Sequence, residues 1–328
     1  MLNKISAILE SSRIFSLPMT ILSWLVIFTY SILHSGNCFY GILSLIGICL
    51  VHLATNVFDD YFDYKSLIKQ VGFDKKEYLK NSQKTKCRYI LLGRMGEKEV
   101  LLLALTYMAI AGCIGLFLFI KCGKGIIYFG IIGGILAVLY SFMSKLRLSE
   151  FAVGLAYGPA LFGGVYYAMT ESYSWNIVLL SLPTMFMTII LLYIHMVMDY
   201  DFDTFEGKHT LANLFNSQLD SLIMLRIFLS ISYLSLILLC IFDILDWQVF
   251  LVYLTLPLAV DLYKSMVNYS TNPNSIPEHK WYHFPMENLE ILKKYNAESF
   301  MLRMYQSRNL MIYFALLLTF SIILALWK

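Results

Sequence analysis

Long apolar stretches are the feature that most constrains how this chain folds. Nine of them approach the roughly 20 predominantly apolar residues that a spanning helix needs. Of the 328 residues, 59% are hydrophobic and only 14% are charged, which is unusual for a soluble domain. We therefore predict an all-α, polytopic membrane bundle of nine transmembrane helices. These are expected at residues 15–35, 39–60, 99–120, 125–143, 151–169, 176–198, 219–242, 247–266 and 309–327.

The basic residues assign a side to each end of these helices. With the N-terminus in the cytoplasm, 21 of the 25 lysines and arginines fall in cytoplasmic segments, as the positive-inside rule requires. We predict a multi-pass integral membrane protein of a cell inner membrane, with the N-terminus and the active site facing the cytoplasm. The net charge of +3 is too small to indicate nucleic acid as a partner, so the expected surroundings are the lipid bilayer.

Two long polar stretches interrupt this pattern, and we expect both to be cytoplasmic loop insertions in one transmembrane domain, residues 1–328. They cover residues 64–98 and 267–307, and the second is expected to contain a helix over 286–306. Loops of this length are uncommon unless they are functional. Residues 1–14 fit either a short interfacial helix or a frayed tail. The six cysteines include no CxxC pair, which argues against a disulfide framework or a zinc site.

An acidic cluster closes the second apolar stretch. Asn56, Asp60 and Asp63 have the spacing that places side chains on one face of a helix, and Asp59 lies beside them. Carboxylates are costly to dehydrate at a membrane boundary, so their presence there favours a functional role. The alternative is a helix end that carries ordinary solvated charges.

A second cluster stands at the matching end of the sixth apolar stretch. His195, Asp199 and Asp203 again share one face of a helix. His195 fits two roles: binding or deprotonating an acceptor hydroxyl, or packing as a polar residue bonded to a neighbouring helix. Two clusters at matching ends of two spans favour a functional site over two sets of solvated charges.

Oxygen-rich clusters of this kind suit hard cations. Mg²⁺ is usually held by one or two carboxylates together with substrate phosphate oxygens, so two facing clusters predict a metal site for a diphosphate. The candidate metal ligands are Asn56, Asp59, Asp60, Asp63, Asp199 and Asp203. Basic side chains are the expected complement of a diphosphate, although each also fits a topology signal. The candidates are Lys84, Lys86, Arg88, Arg94, Lys145, Arg147 and Lys208.

Both acidic clusters resemble motifs of a known family. The run 54–64 is similar to the first aspartate-rich motif of the UbiA superfamily of intramembrane prenyltransferases. Asp199 and Asp203, with the Gly-Lys-His-Thr-Leu-Ala run at 207–212, are similar to the second. Weaker matches lie at Arg13, at residues 17–18, 88–100 and 140–150, and at Gly158-Pro159. Within the superfamily, the chain is most similar to the branch that prenylates 1,4-dihydroxy-2-naphthoate in menaquinone biosynthesis.

This resemblance implies an enzyme that moves a polyprenyl group from its diphosphate to an aromatic or quinoid acceptor. It also implies two Mg²⁺ ions, one held by Asp60 and Asp63 and the other by Asp199 and Asp203. These four aspartates and His195 are the expected catalytic residues. The ring of a tyrosine at position 140 would stabilise a carbocation, although an interfacial tyrosine is the simpler interpretation. The expected donor-binding residues are Asn56, Arg88, Arg94, Lys145, Arg147, Lys208 and Tyr140.

The chain also departs from the family pattern. Asp59 stands where the family usually has Asn, His195 stands where the naphthoate branch often has Asn, and the polar insertion at 267–307 is unusual. Other acceptors therefore stay open, namely 4-hydroxybenzoate, a phenol, haem or a glycerol phosphate. So do two other classes. A cation-coupled transporter would place its acids near the bilayer midplane on broken helices, and a non-catalytic partner would share only the scaffold.

Overall fold

The computed structural model describes residues 2–70, 72–80, 87–205 and 210–325, with the backbone alone described at 2, 3, 80, 137–142, 144 and 145. This described part of the chain is helical and has no strand, which confirms the all-α class. Its α-helices are α1 (Leu2–Ser11), α2 (Leu17–Leu33), α3 (Cys38–Leu67), α4 (Lys75–Lys80), α5 (Arg88–Leu91), α6 (Glu97–Cys122), α7 (Gly125–Lys145), α8 (Ser149–Leu155), α9 (Leu161–Thr170), α10 (Asn176–Met198), α11 (Tyr200–Phe205), α12 (Gln218–Ile241), α13 (Leu256–Thr271), α14 (Leu289–Lys294) and α15 (Glu298–Ala325).

Several of these helices are long and apolar enough to cross a membrane. Among the described residues there are eight such stretches, running over Lys4–Leu33, Cys38–Leu67, Glu97–Cys122, Ser149–Thr170, Asn176–Met198, Gln218–Ile241, Trp247–Thr271 and Glu298–Ala325. A shorter apolar stretch, Gly125–Leu136, lies in α7. The multi-pass architecture is confirmed. The predicted count of nine depends on α7, most of whose side chains beyond residue 136 fall outside the description.

Two predicted boundaries are wrong. Helix α3 continues past the predicted span end at residue 60 to Leu67, and the first acidic cluster lies on this helix, as its spacing predicted. The predicted helix over 286–306 and the predicted span over 309–327 are instead a short α14 followed by one continuous α15. The break between them is local, because Asn296 adopts the left-handed conformation and the amide of Ala297 bonds back to the carbonyl of Leu292. This geometry is typical of a helix C-terminus.

Helix α10 occupies the centre of the bundle. Most of its side chains are buried, including Ile189, Ile190, Tyr193, Ile194 and Val197, each at most 1% exposed. A helix that is apolar around its whole circumference is typical of a buried position. The second acidic cluster therefore begins at the end of the most enclosed helix, where the first residue of the cluster, His195, is about half exposed.

The fifth of the nine predicted stretches, which we call span five, is formed by α8, the π-helical turn Ala156–Ala160 and α9. Span five is kinked at its centre. Gly158 departs from helical geometry there, and Pro159 supplies no N–H to the helix. A Cβ on Gly154 would lie 2.6 Å from the Ile189 side chain, so only glycine allows this close approach to α10. The Tyr157 hydroxyl, from the same kink, reaches His52 of α3 at 2.6 Å. Span five thus links the two helices that carry the acidic clusters.

Candidate active site

The first acidic cluster is organised around an arginine. Nη2 of Arg13 lies 2.6 Å from Oδ1 of Asp60 and 3.2 Å from Oδ2 of Asp59. Asp60 is only 4% exposed. Arg13 follows α1 in the left-handed conformation, with φ of 48°, and this turn directs its side chain toward α3. Two carboxylates therefore converge on one cationic nitrogen, and Asp63 is half-buried about one turn further along the same helix.

Polar contacts fix the turn that carries this arginine. The side-chain amide of Asn56 donates to the backbone carbonyl of Ser12 at 3.1 Å. Nε2 of His52 lies 2.7 Å from the hydroxyl of Ser16, and its Nδ1 is bonded to Tyr157. His52 is thus bonded through both ring nitrogens, which fits the structural role that its position one turn before Asn56 suggests. Asn56, proposed from sequence as a metal ligand, uses its amide to hold the turn.

Cys87 and Tyr89, which follow α4 in the chain, cover the other side of Asp60. The thiol of Cys87 donates to the backbone carbonyl of Asp60 at 3.2 Å. Tyr89 is 1% exposed and its hydroxyl faces the Asp60 carboxylate. Burial and this neighbouring negative charge raise the pKa of Tyr89 well above its usual value, so the phenol stays protonated. The sequence analysis missed Tyr89, because nothing in its local pattern distinguishes it from an ordinary interfacial tyrosine.

Ion pairs hold helix α1 against α6 and the turn that precedes it. Lys4 Nζ lies 2.6 Å from Glu99 Oε1, and Arg94 is paired with Glu10. Arg94 is therefore committed to α1, and its predicted role toward a diphosphate stays a prediction. Arg88 donates to the carbonyl of Leu79 at 2.9 Å and so ties α5 to the end of α4.

The second cluster lies at the junction of α10 and α11. The amide of Asp199 bonds to the carbonyl of His195 at 3.0 Å, and the amide of Asp203 bonds to the carbonyl of Asp199 at 2.8 Å. The helical register thus continues across the junction, and the predicted shared face is present. Nδ1 of His195 lies 3.2 Å from Oδ2 of Asp199. Asp203 is 7% exposed, whereas about a third of the Asp199 side chain is accessible.

The ends of the polar insertion flank this second cluster. From α13, the hydroxyl of Tyr269 donates to the carbonyl of Met198 at 3.3 Å. From α15, the ring of Phe300 meets the ring of His195 edge to face, with 5.5 Å between centroids. These neighbours were not predicted, since they come from positions more than 70 residues further along the chain.

Other predicted residues are placed only in part. Arg147 lies in the turn between α7 and α8, in the left-handed conformation with φ of 64°. Glu150, at the start of α8, is completely buried and accepts a hydrogen bond from the Ser149 hydroxyl at 3.2 Å. The remaining predicted residues lie outside the described side chains: Tyr140, Lys145, Lys84, Lys86, Lys208 and the Gly-Lys-His run at 207–209.

The two clusters lie at the same end of the bundle, because α3 and α10 begin at the same opposite end: the amide of Asn37, before α3, donates to the carbonyl of Met169, near the end of α9, at 2.8 Å. At about 1.5 Å per residue, Asp60 lies about 33 Å along α3 from Cys38, and Asp199 lies about 35 Å along α10 from Asn176. Since the hydrocarbon layer is about 30 Å thick, both clusters stand near one membrane boundary. Within the described residues, no three His, Cys, Asp or Glu side chains are grouped as metal ligands. Mg²⁺ does not require such a cage, and the convergence of Asp59 and Asp60 on a cation fits its ligand chemistry.

These features define a class of helical membrane proteins that gather carboxylates and an arginine at one end of the bundle. The sequence model of the UbiA prenyltransferase family matches residues 16–289, so the chain belongs to this family. Its members are intramembrane prenyltransferases, and they generally use divalent metal ions.

Solved structures support the fold. One is described as a digeranylgeranylglyceryl phosphate synthase in membranes; it has a TM-score of 0.58 and 16% identity, over 98% of this chain and 99% of that one. Another, the apo structure of a UbiA homolog from Aeropyrum pernix K1, has a TM-score of 0.58 and 17% identity, over 94% and 98%. No curated protein sequence matches the chain significantly.

Proposed function

We propose that this protein transfers a polyprenyl group from a polyprenyl diphosphate to an aromatic or quinoid acceptor in a Mg²⁺-dependent reaction. The acceptor favoured by the sequence is 1,4-dihydroxy-2-naphthoate, which would place the enzyme in menaquinone biosynthesis. The active site would face the cytoplasm, at the end of the bundle that carries Asp60 and Asp199.

One observation carries this proposal: Asp59 and Asp60 both point at the cationic nitrogen of Arg13 at a membrane boundary. Two carboxylates beside a guanidinium suit a metal–diphosphate complex. The carboxylate oxygens can bind the metal, and the guanidinium can donate hydrogen bonds to the phosphate oxygens. When bound, Mg²⁺ would supply Lewis-acid stabilisation of the charge on the departing diphosphate. The residues proposed to hold it are Asp59, Asp60, Asp63, Asp199 and Asp203.

The chain's own residues suggest a division of roles. Arg13 is the described side chain best placed to donate hydrogen bonds to a diphosphate beside Asp60. In the second cluster, His195 suits the acceptor. With the Nδ1 proton of His195 directed at Asp199, Nε2 is left as an acceptor for the proton of an aromatic hydroxyl. About half of the His195 side chain is accessible, so a substrate can reach it.

The placement of the acids argues against a cation-coupled transporter. Such a protein is expected to hold its acidic residues near the bilayer midplane. Here, the helix rise puts Asp60 and Asp199 about 33–35 Å from the opposite ends of α3 and α10, at one boundary of the hydrocarbon layer.

A product assay tests the proposal. Purified protein would be incubated with Mg²⁺, several prenyl diphosphates and a panel of acceptors: 1,4-dihydroxy-2-naphthoate, 4-hydroxybenzoate, simple phenols, haem and a glycerol phosphate. Mass spectrometry is expected to find a prenylated aromatic product and released diphosphate, and neither in EDTA. Product on another acceptor would correct the substrate alone. No product and no diphosphate with any pair would overturn the proposed activity.

A further inference from the structure

The chain between α13 and α15 folds back along the bundle instead of extending away from it. We call residues 272–288 the return segment. Its central turn, Trp281–His283, lies against Asp261 of α13. Oδ2 of Asp261 accepts hydrogen bonds from Tyr282 at 2.6 Å and Lys280 at 2.7 Å, and lies 3.1 Å from Nε2 of His283. One carboxylate therefore holds three residues of the segment, Lys280, Tyr282 and His283, against a spanning helix, and we call this set of contacts the clasp.

Helix α15 holds the same segment from the other side. The side-chain amide of Asn309 donates to the carbonyls of His283 at 2.6 Å and Pro285 at 2.8 Å. Arg303 donates to the carbonyl of Ser275 at 2.9 Å and to the carbonyl of Ser265, on α13, at 3.0 Å. Arg303 and Asn309 are completely buried. Polar groups in a spanning helix must find partners within the protein, and here the return segment supplies them.

The depth of these contacts follows from both helices. From Trp247, nine residues of 3-10 helix at about 2.0 Å each and six residues of α13 at about 1.5 Å each put Asp261 about 27 Å along the span. From Ala325, Asn309 lies about 24 Å along α15. Because the hydrocarbon layer is about 30 Å thick, the clasp lies just inside the boundary, several ångströms deeper than Asp60 and Asp199.

At this depth the return segment presents apolar side chains outward. Trp281 is 86% exposed and Phe284 45% exposed. They lie on an outward face of the bundle, since Leu256 and Val260 of α13 are 41% and 43% exposed beside the clasp. A shallow groove of about 490 Å³ is lined by Leu256 and Val260 and extends to Asp261 and Tyr282. Tryptophan is enriched where the hydrocarbon layer meets the headgroups, because its ring is apolar and its N–H needs a polar partner.

We infer that the return segment is a re-entrant element that seats Trp281 and Phe284 in the interfacial layer of the bilayer, with lipid acyl chains occupying the groove along Leu256 and Val260. Its partner is bilayer lipid. The element shields the polar side chains of α13 and α15 from the hydrocarbon and anchors this side of the bundle at a fixed depth. The polar insertion is thus a membrane-contacting part of the fold and not a free loop, whatever reaction the protein catalyses.

Tryptophan quenching in vesicles tests this inference. The full-length protein and the Trp281→Phe variant would be reconstituted in phosphatidylcholine vesicles, and the difference in their emission assigned to Trp281. Lipids brominated at carbons 6,7 are expected to quench this component at least about twofold more than lipids brominated at 11,12, because the indole lies near the boundary. Aqueous acrylamide should quench it only weakly. The Trp24→Phe difference serves as the control, since Trp24 is buried and should resist both quenchers.

A second variant tests the clasp itself. Asp261→Leu removes the carboxylate that holds Lys280, Tyr282 and His283, so Trp281 is expected to lose bromine quenching and gain acrylamide quenching. The Trp281→Phe measurement stands even if this variant does not fold. Strong acrylamide quenching of Trp281 in the otherwise unchanged protein, with none by brominated lipid, would place the segment in water or under a protein partner and overturn the inference.

Discussion

At the scale of single residues, Arg13 determines the electrostatics of the first cluster. Without its guanidinium, Asp59 and Asp60 would face one another as like charges with little water around them. We expect Arg13→Gln to lower stability in EDTA by about 2 kcal/mol, below the 3–5 typical of a buried pair because Arg13 is 29% exposed. Mg²⁺ should then raise the melting temperature of this variant more than that of the parent protein.

Thermal unfolding with and without Mg²⁺ measures this effect. Lys69→Gln is the matched control. Lys69 is exposed, and its substitution removes the same charge from the same end of the bundle. An equal response of Arg13→Gln, Lys69→Gln and the parent to Mg²⁺ would mean that the two carboxylates do not bind the metal.

Asp60 is the residue on which the proposed chemistry depends most. Asp60→Asn keeps the size of the buried side chain and removes its charge, so the variant should insert normally and lose at least about 100-fold in product formation. The rate is measured by mass spectrometry, and insertion by the membrane-extracted yield. Asp201→Asn is the control, since Asp201 is exposed beside the second cluster. An Asp60→Asn rate within threefold or so of the parent would remove Asp60 from the metal site.

The residue scale also separates what a sequence can predict from what it cannot. Asp60, Asp199 and Asp203 could be predicted, because a 3.6-residue repeat fixes which acids share a helix face. The pairing of Arg13 with Asp60 could not, because it depends on a left-handed turn and joins positions 47 residues apart. Tyr89 was missed for the same reason. The packing of separate elements brings its hydroxyl to Asp60, and no local sequence pattern predicts that packing.

At the scale of elements, span five couples the two clusters. Gly154 packs so closely on Ile189 of α10 that a larger side chain must displace one helix. We expect Gly154→Leu to cost about 1–3 kcal/mol by overpacking and to lower the melting temperature. Gly112→Leu in α6 is the control, because a Cβ there meets open space. Equal melting temperatures for the two variants would show that span five and α10 are not held in close contact.

The same scale explains the errors over residues 286–327. Polar side chains such as Arg303, Gln306 and Arg308 do not fit a spanning helix by composition, so the sequence predicted that the span began after them, at residue 309. In the structure Arg303 donates to the carbonyl of Ser275, the Gln306 side-chain amide lies 3.3 Å from Nδ1 of His283, and Arg308 donates to the carbonyl of Pro285, so α15 continues through them. Apolar composition predicts spans well where lipid surrounds a helix, and poorly where another part of the same chain replaces the lipid.

At the scale of the whole molecule, the charge distribution predicts which way the bundle crosses the membrane. Helix α4, which contains Lys75 and Lys76, lies at the end of the bundle with both acidic clusters, and the turn that contains Ser172 lies at the opposite end. The sequence analysis assigns 21 of the 25 basic residues to the first side, so that side is expected to be cytoplasmic. A donor made in the cytoplasm would then reach the acids without crossing the bilayer.

Accessibility labelling checks this orientation. Lys76→Cys should react with a membrane-impermeant maleimide only after the cells are opened, and Ser172→Cys should react in intact cells. Both positions are exposed in the structure, which makes them a matched pair. The unsubstituted protein, whose six cysteines include the exposed Cys38 and Cys113, gives the background to subtract. Labelling of Lys76→Cys in intact cells would reverse the topology and put the acidic clusters outside, where a cytoplasmic donor cannot reach them.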